Sequence, residues 1–132
     1  DHAINIASRA QKLAEDETHF SQDALKEISI MESLCNNILD ELIILDYDEF
    51  KNIVDKVDIM EDNIDKTQHQ FTVNQLIRLK EKKCSTENSI IYTKILTDFE
   101  RIGDHGLNIA ESLYHIRKIM KQMKMIKPEI EE

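Results

Sequence analysis

Asp98-Phe99-Glu100-Arg101-Ile102-Gly103-Asp104-His105-Gly106-Leu107-Asn108-Ile109-Ala110-Glu111-Ser112-Leu113 sets Phe99, Ile102, Ile109 and Leu113 at the three- and four-residue spacing of one helix face. The only two glycines of the chain, Gly103 and Gly106, fall inside this stretch. Each costs a helix about 1 kcal/mol relative to alanine, so something offsets them. Close approach of a neighbouring helix is one reading, and room for a ligand or metal beside the backbone is the other. The core of the stretch, Asp104-His105-Gly106-Leu107-Asn108-Ile109-Ala110, also has a copy at the start of the chain. Asp1-His2-Ala3-Ile4-Asn5-Ile6-Ala7 matches it at five of seven positions, 103 residues earlier. That period exceeds those of the common solenoid repeats and points to two related helical units in tandem.

Outward from this stretch the helical pattern extends in both directions. Ser85 with Glu87 reads as a helix cap. Ile91, Ile95, Phe99, Ile102, Ile109, Leu113, Ile116, Met120 and Met123 then keep one stripe until Pro128. A helix of roughly 40 residues spans about 60 Å and is expected to protrude or bend. Upstream, Ser21 with Asp23 caps a second helix, whose stripe is Ala24, Ile28, Met31, Cys35, Ile38, Leu42 and Leu45. The acidic break at 46–49 opens a third, with Phe50, Ile53, Val54, Val57, Ile64 and Phe71 fading into a charged end at Lys80–Lys83. Residues 1–16 carry a helical pattern without a start signal, as the second half of a longer helix would. Short connections at about 17–20, 46–49 and 82–86 make neighbours antiparallel. The expected fold is all-α, an antiparallel up-down bundle. Its units are 1–16 as the end of a preceding repeat, 21–125 as a complete three-helix repeat, and 126–132 as a frayed tail.

Composition agrees. The chain has 132 residues with 33% charged and 5% aromatic, two Gly and one Pro, which suits amphipathic helices and disfavours strands. A net charge of −9 argues against nucleic acid or an anionic lipid surface, and favours cations or basic partners. Cys35 and Cys84 form no CxxC pattern and read as free thiols of a reducing compartment. No apolar run approaches the roughly 18 residues of a membrane span.

Two acidic pairs stand out. Glu100 and Asp104 share one helix face, reading as a surface pair opposite the Ile102/Ile109/Leu113 stripe. Glu61 and Asp65 form a second pair, and Glu61 interrupts the stripe between Val57 and Ile64, with Asp58 and Asp62 beside it. Like charges at i and i+4 destabilise a helix by a few tenths of a kcal/mol, a sign that a bound cation reverses. Hard carboxylate oxygens suit Mg, Ca, Mn or non-haem Fe, with His105 or His69 as further ligands. The competing reading is chance, since Asp and Glu supply 26 of 132 residues.

Asp98–His105 followed by Asn108-Ile109-Ala110-Glu111 resembles the signature helix of the PhoU-like phosphate-transport regulators. Lys83–Tyr92, leading into it, looks more like the PhoU-like C-terminal domain of sodium/phosphate cotransporters. The resemblance covers Glu61 to about Leu113, takes in Asp1–Ala7 as the signature of a first repeat, and is architectural for the second helix. It implies paired three-helix bundles and a cytosolic regulatory or accessory domain of phosphate transport. It further implies E(D)xxxD motifs that in some relatives hold iron or zinc clusters. Those motifs map onto Glu61 with Asp65 and Glu100 with Asp104, with Asp1 as the close of a first-repeat motif and His105 as a weaker ligand. The implied cofactor is Fe, Zn or another divalent metal, or none. The implied partner is a membrane transporter domain in the same or another chain, and helical faces allow a homo-oligomer. A free-standing PhoU-type uptake regulator is the alternative, as is a plain oligomerisation module using Met120, Met123 and Met125. An enzyme is not expected. A di-iron carboxylate enzyme needs Glu-x-x-His on two helices, and only Asp16-x-x-His19 approaches that.

Overall fold

The computed structural model describes residues 1–15, 20–43 and 50–126, with side chains at 1–11, 20–43 and 51–123. Four helices fill these residues: α1 (His2–Glu15), α2 (Gln22–Ile43), α3 (Phe50–Lys80) and α4 (Thr86–Ile126). The expected Leu45, the acidic segment 46–49, His19 and most of the tail fall outside the described residues.

Both serine caps form as the sequence predicts. The Ser21 hydroxyl accepts the Ala24 N–H at 3.1 Å and the Ser85 hydroxyl accepts that of Asn88 at 3.1 Å, satisfying donors that the first turn leaves open. α3 stops where its charged end was expected. Lys82 turns into the left-handed region at φ 61°, and the Lys83 N–H donates back to the Arg78 carbonyl at 2.8 Å.

The helices interlock around α4. α3 runs antiparallel to it, with Ile64 against Gly103, and α2 runs parallel to it, with Cys35 donating to the Phe99 carbonyl and Ile38 against Gly106. α2 and α3 also pack on each other, antiparallel. α1 lies antiparallel on α4 alone: His2 reaches Asp98 and His105, while Arg9 reaches the Lys94 carbonyl. The core gathers Ala24, Met31, Cys35 and Ile38 of α2, Ile53, Val57 and Ile64 of α3, and Tyr92, Ile95, Leu96, Phe99 and Ala110 of α4.

α4 departs from the expected stripe after Phe99. Ile109, Ile116, Met120 and Met123 are exposed, at 48%, 52%, 45% and 54%, and Leu113 is only half-buried. Gly103, Gly106 and Ala110 are the buried positions there. The reason is geometric. At 41 residues α4 outruns the 22 of α2 and the 31 of α3, and where it is covered, its partners sit on its small residues. The helix protrudes, as its length required.

Candidate metal centre

α3 presents Glu61 and Asp65 one turn apart, and α4 presents Glu100 and Asp104 likewise. What brings the two pairs together is Gly103. Ile64, the neighbour of Asp65, fills the space a side chain at Gly103 would take: a Cβ there would lie 3.0 Å from Ile64 Cδ1. The missing side chain lets the helix backbones close up beside Asp104. Carboxylate oxygens of Glu61, Asp65, Glu100 and Asp104 consequently all lie within 4.8 Å of one another.

The pair Glu100/Asp104 is therefore not the surface feature its helix wheel suggested. Both residues are half-buried against α3, because α3 approaches α4 on the glycine face and not on the Ile102/Ile109/Leu113 stripe alone. The close-approach reading of the glycines holds at both positions, since a Cβ at Gly106 would lie 2.5 Å from Ile38 Cγ2.

Electrostatics show what the cluster lacks. Among the described residues no ion pair includes any of the four carboxylates, and no donor bonds the buried Asp65 Oδ1. Acidic oxygens so close are compatible only when they share protons or a cation. Glu61 is accordingly pushed up to about 8, first by a hydrogen bond with Asp104, then by burial and by the charge of Asp65. Glu100 is pushed up to about 7, chiefly by burial and then by Asp104. A buried oxygen without a donor, in a set of four hard oxygen donors from two helices, fits a divalent or trivalent cation.

The other predicted ligands are not brought in. Asp1 is exposed at the start of α1, and His105, also exposed, stacks on His2 with ring centroids 5.4 Å apart. His69, Asp58 and Asp62 are exposed on α3, where Asp62 pairs with Lys66 at 2.6 Å. Among the described residues none of them joins the group of ligand atoms that converges between α3 and α4.

Two polar groupings escaped the sequence. Glu27, 8% exposed, accepts bonds from Tyr92 Oη at 2.5 Å, Arg78 at 2.6 Å and Asn74 at 2.7 Å, tying the start of α2 to the end of α3 and the start of α4. Burial works to raise its pKa, and those three donors together outweigh it, so Glu27 sits below the ordinary carboxylate range. A Glu four residues before Met31 on the Ala24/Ile28 side was the available sign. The second grouping joins α1 to α4: buried Asp98 bonds His2 Nδ1 at 3.0 Å and pairs with Arg9. The stacked His2 and His105 occupy the same position in the two copies of the motif, so the copies meet face to face.

The chain is similar to a phosphate-specific transport system accessory protein, PhoU homolog 1 of Thermotoga maritima, with 27% identity over 124 residues. The match takes in 92% of this chain and 53% of that protein, so the chain spans about half the length of the curated relative. No solved structure matches it. The PhoU domain family model matches residues 28–113, a span that contains all four clustered carboxylates. The chain belongs to the PhoU domain family.

Proposed function

We propose that this protein is a regulatory, non-enzymatic accessory module of phosphate transport that holds a metal ion between α3 and α4. The observation that carries the reading is the placing of Glu61, Asp65, Glu100 and Asp104 within 4.8 Å of one another, inside the span matched by the PhoU domain. When bound, the metal supplies positive charge that neutralises four carboxylates. The chain's own contribution is to hold two helices at a fixed separation, so that metal loading sets how α3 and α4 sit against each other. Fe, Zn or another divalent metal suits this donor set.

Of the two settings that the sequence suggested, the accessory protein acting on a separate transporter is favoured over the cotransporter domain. It is supported by the relative's name, which is that of an accessory protein and not of a transporter. No described helix is long and apolar enough to cross a membrane. The cytosolic side is the matching location. Residues 1–16 close one repeat and 21–125 form a complete three-helix repeat, a division that the contact between His2 and His105 at equivalent motif positions supports.

Expression in cells that lack their own PhoU-type protein tests the reading. Phosphate uptake is expected to fall back under control at high external phosphate when the wild-type protein is expressed. A Glu100→Gln/Asp104→Asn variant is expected to fail. Uptake that ignores the wild-type protein contradicts the reading.

A further inference from the structure

Among the described residues α1 packs on α4 and on no other helix. Its polar attachments gather at the turns of α4 that carry two of the clustered carboxylates. His2 Nδ1 bonds Asp98 Oδ1 at 3.0 Å, and the His2 ring stacks on His105 with centroids 5.4 Å apart. Arg9 pairs with the same Asp98 and donates to the Lys94 carbonyl at 3.5 Å. Asp98 is 5% exposed, so its carboxylate depends on these partners from α1, and that dependence fixes where α1 sits.

Asp98 and His105 stand seven residues apart, so they share one line of α4 over about 10 Å. Glu100 and Asp104 fall between them in sequence, roughly 130° round the helix at 100° per residue, where they meet Glu61 and Asp65 of α3. Gly103 lies between Glu100 and Asp104, and Gly106 follows His105. A helical stretch that carries two glycines takes its geometry from its neighbours more than from its own propensity. A bend or twist at Gly103 swings Glu100 relative to Asp104. His2 touches α4 on both sides of that glycine, at Asp98 before it and at His105 after it, and so splints the point on which the spacing of the two ligands depends.

We propose that α1 sets the geometry of the metal site: His2 and Arg9 are positioning residues that, by holding Asp98 and His105, keep Glu100 and Asp104 aimed at Glu61 and Asp65. The inference rests on the cation site proposed above. α1 supplies no ligand, yet its docking and metal binding strengthen each other, because a coupling between two sites acts equally in both directions.

The test reads both directions in the intact protein at one fixed pH, with Mn²⁺ as the probe. Isothermal titration is expected to show Mn²⁺ binding weakened by about fivefold or more in Arg9→Met and in His2→Ala, at unchanged stoichiometry. Arg9→Lys, which keeps a cation for Asp98, is expected to stay within about twofold of wild type. In the reverse direction, Mn²⁺ is expected to slow hydrogen exchange of the α1 amides by about fivefold in wild type, and not in Glu100→Gln/Asp104→Asn. The exposed end of α4, residues 116–123, is expected to exchange at the same rate with and without Mn²⁺. A contact that merely stabilises the fold leaves α1 exchange indifferent to the metal, and the wild-type measurement decides the matter even where a variant fails to fold. No Mn²⁺ on the wild type overturns the cation site and this inference with it. Mn²⁺ bound by wild type with equal affinity in the α1 variants, or α1 exchange that ignores the metal, overturns this inference alone.

Discussion

Gly103 and Gly106 differ in what a side chain would meet, and that difference is measurable. At Gly103 an added methyl touches Cδ1 of Ile64 at 3.0 Å, the far end of that side chain, which has only a few tenths of an ångström to give. At Gly106 it meets Ile38 Cγ2 at 2.5 Å, a methyl fixed to the β-carbon of a residue 1% exposed. Gly106→Ala is expected to destabilise the chain by about 1–3 kcal/mol despite alanine's better helix propensity, and Gly103→Ala by less, as read from urea melts. Glu27 gives a second residue-scale expectation. Glu27→Ala strips the partner from a half-buried Arg78 and is expected to cost about 2–3 kcal/mol, against about 1 kcal/mol for Tyr92→Phe. Because its partners hold Glu27 below its unfolded value of 4.5, the stability it gives is present above that pH and is lost as pH falls through its folded pKa. The glycines advertised themselves by their cost inside a helix. Glu27 did not, because a lone acidic residue beside an apolar stripe looks the same whether it faces water or three donors from other helices.

At the scale of the helix pair, the carboxylate cluster makes the metal-free protein respond to pH in the opposite sense. Glu61 near 8 and Glu100 near 7 both lie above the unfolded value of 4.5. Between about pH 5 and 8 the unfolded chain gives up protons that the folded cluster keeps, so stability falls as pH rises across that window. The melting temperature without metal is expected to drop from pH 5 to pH 8, and Glu61→Gln is expected to flatten that drop. A wild-type melting curve that does not move with pH across the window contradicts the cluster's electrostatics. Each i,i+4 pair was legible in the sequence, as was its interruption of a stripe at Glu61. Their convergence was not, because a helix wheel places residues about one axis and says nothing of which face a neighbour approaches. For the same reason the continuous stripe that includes Ile109, Ile116, Met120 and Met123 does not tell that these residues are exposed, whereas α4 meets its partners through Gly103, Gly106 and Ala110.

Across the whole molecule, α4 is the spine that α1, α2 and α3 all use, and the two ends of the chain depend on it differently. Ile119, Met120 and Met123 are exposed, so a chain ending at Lys118 is expected to match the intact one within about 0.5 kcal/mol in urea melts. Removing α1 is expected to leave a cooperative α2–α4 bundle but to strip His2 and Arg9 from buried Asp98, at about 1–3 kcal/mol, part of which Asp98→Asn restores. The copied DHxxNIA motif was legible in the sequence; that its two copies meet through the stacked His2 and His105 needed the structure. The central claim is that two helices converge to make one cation site, and metal content tests it most directly. After equilibration with Fe or Mn and removal of excess, elemental analysis is expected to find metal on the wild-type protein and little on a folded Glu100→Gln/Asp104→Asn variant. Equal metal on both proteins, or none on the wild type, contradicts it.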